Sequence, residues 1–189
     1  MTLEQKIKTK IKEYGAISFS EFMKFALYDE TEGFYAHGGA GRKKDFITSP
    51  EVGPLFGKLI SQAIDKCWIE FGKPSHFTFL ECGAGPGTLA KSILRSQMQC
   101  KDALKYIAVE SSSQQSLTHP STVQTLSTMP KEIEVGIIFA NELLDNLPFD
   151  IFESQNDGSW LEVKITVDDE NILETLIPNN EKAPPYTLE

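Results

Sequence analysis

Glu81, Gly83, Ala84, Gly85 and Gly87 stand in the run Phe77-Thr78-Phe79-Leu80-Glu81-Cys82-Gly83-Ala84-Gly85-Pro86-Gly87-Thr88. An apolar segment there stops at a carboxylate, breaks into three alternating glycines and resumes as the helical pattern Leu89-Ala90-Lys91-Ser92-Ile93-Leu94. Glycines at a strand-to-helix turn permit unusual backbone angles and let a ligand lie on bare backbone, with the first amides of the helix pointing outward. The loop lacks the Gly-Lys-Ser/Thr of a phosphate cradle, since Thr88 and Leu89 follow Gly87, so ATP hydrolysis is disfavoured. Nor does it space its glycines as a dinucleotide loop does, and Glu81 just ahead would repel a pyrophosphate. A carboxylate in that place suits an ammonium or sulfonium charge, and S-adenosylmethionine carries both. The plain alternative is a tight turn.

Two more clusters lie downstream. Tyr106-Ile107-Ala108-Val109 ends in Glu110, about one βαβ unit after the first strand, where a carboxylate can accept bonds from both ribose hydroxyls; otherwise Glu110 is an exposed strand-end glutamate. Val135 to Ala140 is a fully apolar strand running into Asn141, Glu142 and Asp145, at the carboxyl end where open α/β sheets place their ligands. Asn141 offers a donor and an acceptor, and the two carboxylates could hold a cationic guanidinium or ammonium and accept its proton. Asn141 capping a short turn is the compatible structural reading.

The elements that must position these residues can be read from periodicity. Leu3, Ile7, Ile11 and Tyr14 predict a first helix stopped by Gly15. Ser18 with Glu21 makes a capping box, and Ile17 with Phe22 a hydrophobic staple, for a second helix from Phe19 to Leu27. Glycines 33, 38, 39 and 41 around Arg42-Lys43-Lys44 are read as a mobile lid rather than a phosphate loop. Ser49-Pro50 predicts the start of a long helix on the sheet, with Leu55, Leu59, Ile60, Ile64, Cys67, Trp68 and Phe71 apolar and Gly72 as its stop. After Pro148, alternating runs at 149–153, 160–167 and 172–177, joined through Asn156-Asp157-Gly158, predict an antiparallel flap. The expected organisation is a helical cap and lid over 1–75, an α/β half over 76–148, the flap over 149–178 and a tail over 179–189, without internal repeats.

Composition sets outer bounds. The 40% hydrophobic and 24% charged residues fit a soluble domain, and a formal net charge of -9 argues against nucleic acid and permits a basic target. No apolar run approaches a membrane span, no signal peptide is visible, and Glu4 and Glu13 fall in a start that a mitochondrial transit peptide would keep acid-poor. The cytoplasm is the expected compartment, or the mitochondrial matrix for a eukaryotic source. Cys67, Cys82 and Cys100 lack zinc spacing and are read as free thiols; His37, His76 and His119 are scattered, and no metal is expected.

With these residues in view, the chain resembles the MidA-like family of S-adenosylmethionine-dependent methyltransferases, whose mitochondrial members methylate an arginine of a complex I subunit and aid its assembly. The resemblance rests on 45–57 (Asp45-Phe46-Ile47-Thr48-Ser49-Pro50-Glu51-Val52-Gly53-Pro54-Leu55-Phe56-Gly57), on Glu81 to Leu89, on Val109-Glu110-Ser111 and on Ala140-Asn141-Glu142-Leu143-Leu144-Asp145-Asn146-Leu147-Pro148, with Tyr28-Asp29 and Gly33-Phe34-Tyr35 resembling the entry segment. It implies a Rossmann-like class I methyltransferase fold, α/β, with a helical cap and a β flap. It implies further that Gly83, Ala84, Gly85 and Gly87 pass under S-adenosylmethionine, Glu81 lies near its amino-acid end and Glu110 on its ribose. Thr48, Ser49, Pro50 and Glu51 would form a lip over the pocket, and Asn141, Glu142 and Asp145 would face the methyl acceptor, an arginine-bearing protein segment. At 189 residues the chain is shorter than the family's usual length and stops where further strands of the sheet should begin. An incomplete sheet is therefore expected, with a fragment, a homodimer or complementing chain, or a non-catalytic assembly factor as the alternatives. A nicotinamide-dependent oxidoreductase and a DNA methyltransferase are the remoter readings; the Asn-Pro-Pro-aromatic motif of the latter is missing after Asn141.

Overall fold

A computed structural model of the chain describes residues 1–36 and 53–179. It divides into two compact units, one formed by Gly39–Leu144 and the other by Met1–Gly38 with Asp145–Glu189.

The first unit is a parallel sheet with helices. Helix α3 (Pro54–Glu70) has Pro at its first position, where the missing N–H costs nothing. Its start lies later than Ser49-Pro50, and residues 49–52 fall outside the described ones. Beyond its C-cap Phe71, Gly72 turns the chain with φ +80°, and Trp68 Nε1 donates to the Pro74 carbonyl at 2.9 Å. Phe56, Ile60, Ile64, Cys67 and Trp68 pack on the core, whereas Leu55 and Leu59, expected on that face, are exposed. They sit on the side of the helix that turns away from the sheet.

Strands β2 (Phe77–Cys82), β3 (Leu104–Val109), β4 (Gln124–Leu126) and β5 (Gly136–Ala140) pair in parallel in the order β4-β3-β2-β5. Helix α4 (Thr88–Arg95) joins β2 to β3, and a single turn, α5 (Ser113–Ser116), precedes β4. Side chains alternate across β2 as a strand requires: Phe77 and Phe79 join Tyr106, Ala108, Ile64, Leu89 and Ile93 on one face, Leu80 and Cys82 join Ile107 on the other. The chain runs outward from β2 to β4, then returns to β2's other side as β5. That reversal makes the β2/β5 boundary a switch point, where the strands' carboxyl ends open a crevice.

Strand β5 departs from expectation. Its apolar run predicts a central strand covered on both faces, yet among the described residues it pairs with β2 alone and Ile138 is 60% exposed. Only the Ile137 and Phe139 side is packed. No described strand lies beyond it to cover the rest.

The second unit holds two capped helices on an antiparallel sheet. Helix α1 (Leu3–Tyr14) begins at a Thr2/Gln5 capping box that sequence reading missed and ends at Gly15, as predicted. Helix α2 (Phe19–Tyr28) carries the Ser18/Glu21 box. Strand β7 (Trp160–Asp168) pairs with the short β1 (Ile17–Ser18), with β6 (Ile151–Ser154) and with β8 (Asn171–Pro178), all antiparallel. Ile7, Ile11, Ile17 and Ile165 form its buried centre. The flap strands are thus continuous with the N-terminal segment, through Ile17 opposite Ile165.

Candidate cofactor site

The glycine loop leaves β2 and enters α4 through three left-handed residues, Gly83 at φ +68°, Gly85 at +53° and Gly87 at +70°. A side chain at any of them would be strained, which is why the sequence spends glycine there. Their surfaces are also close to neighbours: a Cβ on Gly83 would come within 2.8 Å of Leu143 Cδ1, and one on Gly87 within 2.9 Å of His119 Cδ2. The Gly83 and Ala84 amides donate to the Val109 carbonyl at 2.9 and 3.1 Å, Gly87 N–H donates to the Ala84 carbonyl at 3.0 Å, and Lys91 Nζ reaches the Pro86 carbonyl at 2.8 Å. Gly87 caps α4 without a side chain, so no protein side chain covers the helix's first amides from the cap position.

Glu110 follows β3 and turns onto this loop. Its carboxylate accepts from the Gly85 amide and from the Ser112 amide, each at 2.8 Å. In the structure Glu110 therefore ties the loop to the end of β3, and each oxygen keeps a second lone pair for a hydroxyl partner.

Glu81 is 5% exposed and accepts the Tyr106 hydroxyl at 2.6 Å. Burial pushes its carboxyl up to about 7, with the charge of Glu110 acting in the same direction and the Tyr106 bond opposing it. Burial, then the charge of Glu81 and its hydrogen bond, also raise the Tyr106 phenol, which stays a donor. Among the described residues no cation pairs with Glu81. A buried carboxylate without a cation beside a bare-backbone loop fits a ligand that brings positive charge.

Asn141 and Glu142 continue from β5, and the pairing of Cys82 with Ala140 sets Gly83 and Asn141 side by side at the crevice. Asn141 is half-buried; Glu142 is exposed and takes a left-handed backbone, φ +51°, rare outside glycine and worth a functional reading. Asp145 is exposed, in the single turn Leu144–Asn146 that opens the second segment of the other unit. Thr48, Ser49, Pro50 and Glu51 lie outside the described residues.

Sequence reading missed the outer supports of the loop. Tyr106 stands in an apolar strand run with nothing to mark its hydroxyl, and Ser112 caps a turn with Oγ accepting from Gln115 N–H at 3.3 Å. Thr118 Oγ1 donates to the Pro86 carbonyl at 2.8 Å, and His119 Nε2 lies 2.8 Å from the Gly85 carbonyl. These residues come 30 or so positions after the loop, and no local pattern announces such a contact.

Residues 59–188 match the model of a family described as "Putative S-adenosyl-L-methionine-dependent methyltransferase". The chain belongs to this family. Among its relatives, the rat "Protein arginine methyltransferase NDUFAF7, mitochondrial" is 31% identical over 84% of this chain and 44% of its own length. The zebrafish protein of the same name is 30% identical over 87% of this chain and 47% of its own. A crystal structure of a COG1565 superfamily member from Burkholderia thailandensis, bound to S-adenosyl-homocysteine, superposes with a TM-score of 0.79 at 27% identity, covering 95% of this chain and 50% of that one. The chain spans about half the length of these family members. The MidA-like resemblance and the Rossmann-like class I fold expected from sequence both stand.

Proposed function

We propose that this chain is a methyltransferase, or the cofactor-binding half of one, that uses S-adenosylmethionine to methylate a protein nitrogen, most directly an arginine. The observation that carries the reading is the left-handed glycine loop at the β2/β5 crevice, flanked by a buried carboxylate that no cation pairs among the described residues and by a second carboxylate on the Gly85 amide. Bound there, S-adenosylmethionine would supply a methyl group on a cationic sulfur, open to in-line displacement. In this reading Gly83, Ala84, Gly85 and Gly87 give it backbone to rest on, Glu81 faces its positive amino-acid end, and Glu110 accepts from its ribose through the lone pairs left over from the loop. Thr48, Ser49, Pro50 and Glu51 are assigned the lip.

Asn141, Glu142 and Asp145 are assigned the acceptor. Two carboxylates and an amide would orient a guanidinium, hold its nitrogen lone pair toward the methyl group and take up the proton released. A net charge of -9 favours a basic segment as substrate. The relatives' name places them in mitochondria; we assign this chain to the cytoplasm, or to the mitochondrial matrix if its source is eukaryotic. The edge of β5, unpaired among the described residues, favours a complementing chain or a second copy as partner, and supports an assembly factor that binds the cofactor without transfer as the second reading. Incubation with methyl-labelled S-adenosylmethionine and arginine-rich protein decides between them: label recovered as methylarginine is expected, and cofactor binding without label in any acceptor would leave only the assembly role.

A further inference from the structure

Gly85 is held at both ends. Its N–H donates to Glu110 at 2.8 Å, and its carbonyl oxygen lies 2.8 Å from His119 Nε2. A carbonyl only accepts, so Nε2 carries the proton. The other ring nitrogen, Nδ1, is 2.8 Å from Thr125 Oγ1 on β4; a hydroxyl can donate or accept, so it follows the tautomer that the Gly85 carbonyl sets and, in the neutral ring, donates to Nδ1. The neighbouring Thr118 hydroxyl lies on the next carbonyl, that of Pro86, at 2.8 Å, and a Cβ on Gly87 would come within 2.9 Å of the imidazole Cδ2. Three glycines leave the loop with almost no side chains of its own to hold it. Around Gly85 its shape is therefore set from outside, by Glu110 on one side of the residue and by Thr118-His119 on the other.

We propose that His119 is a positioning residue of the cofactor site, its Nε2–H donating to the Gly85 carbonyl and its Nδ1 held by Thr125, so that the glycine loop is fixed in its binding shape before ligand arrives. A loop that is already ordered loses less freedom on binding, so the strut acts on affinity as well as on stability. The sequence shows no sign of it, because His119 stands 34 residues from Gly85 with no ligand spacing. The proposal rests on the reading of this loop as the seat of an adenosyl cofactor, and its test therefore has one arm with cofactor and one without.

With cofactor, S-adenosylhomocysteine affinity is measured by calorimetry on the full chain carrying His119→Phe, which keeps the ring's bulk, and His119→Gln, whose amide can still donate. Loss of one hydrogen bond's worth of ordering should weaken the Phe variant about tenfold, and the Gln variant should stay within about threefold of the parent. Parent affinity in the Phe variant, whatever its melting temperature, would overturn the proposal. Without cofactor, the nitrogen chemical shifts of the His119 ring should report the Nε2–H tautomer, and the Gly85 and Gly87 amides should exchange faster in His119→Phe than in the parent. An Nδ1–H ring, or unchanged exchange, would overturn it. A parent chain that binds no S-adenosylhomocysteine would remove the cofactor reading, and the tautomer and exchange results would still decide whether His119 fixes the loop.

Discussion

Glu81 carries its charge at a cost that the rest of the unit must cover. In the folded chain its carboxyl lies near 7, against 4.5 for an ordinary glutamate, because burial disfavours the ion. The folded state thus holds the proton more tightly than the unfolded one, and stability falls as pH rises from about 4.5 to about 7, with the full penalty above that window. The shift corresponds to roughly 3 kcal/mol. Urea unfolding at a series of pH values should show the parent losing stability relative to Glu81→Gln across that range. A parent that gains on the variant with rising pH would show that the carboxylate is already compensated. Nothing about Glu81 beyond its sign was legible in sequence: the glycine pattern placed it ahead of the loop, but its burial and the Tyr106 hydroxyl come from the pairing of β2 with β3, which sets Phe79 opposite Tyr106.

Among the elements, β5 is joined to β2 unusually closely at its first residue. Gly136 is the Cα partner of Thr78, and a Cβ there would run into the Thr78 carbonyl. Gly136→Ala must push the two backbones apart, so its cost should reach the upper part of the overpacking range, about 3 kcal/mol. Thermal unfolding checks this; a melting temperature within error of the parent would mean the strands part easily at that end. The Ser18/Glu21 capping box, the Gly15 stop and the alternating flap strands were legible, since each is written in a few adjacent residues. Those set by distant partners were not. The covered face of α3 excludes Leu55 and Leu59, and the exposure of Ile138 depends on which strands flank β5, so neither can be read from the strand or helix itself.

For the whole molecule, the parallel β4-β3-β2-β5 order places the glycine loop and Asn141 at adjoining strand ends, although they are more than 50 residues apart in sequence. The Glu81 and Glu110 carboxylates give that crevice a negative character suited to a cationic nucleoside. The most direct measurement is isothermal calorimetry of S-adenosylmethionine into the folded chain. The account predicts saturable binding at one site, weakened when Glu110→Gln loosens the Gly85 amide. A chain that is folded by circular dichroism and gives no saturable heat with S-adenosylmethionine would contradict it.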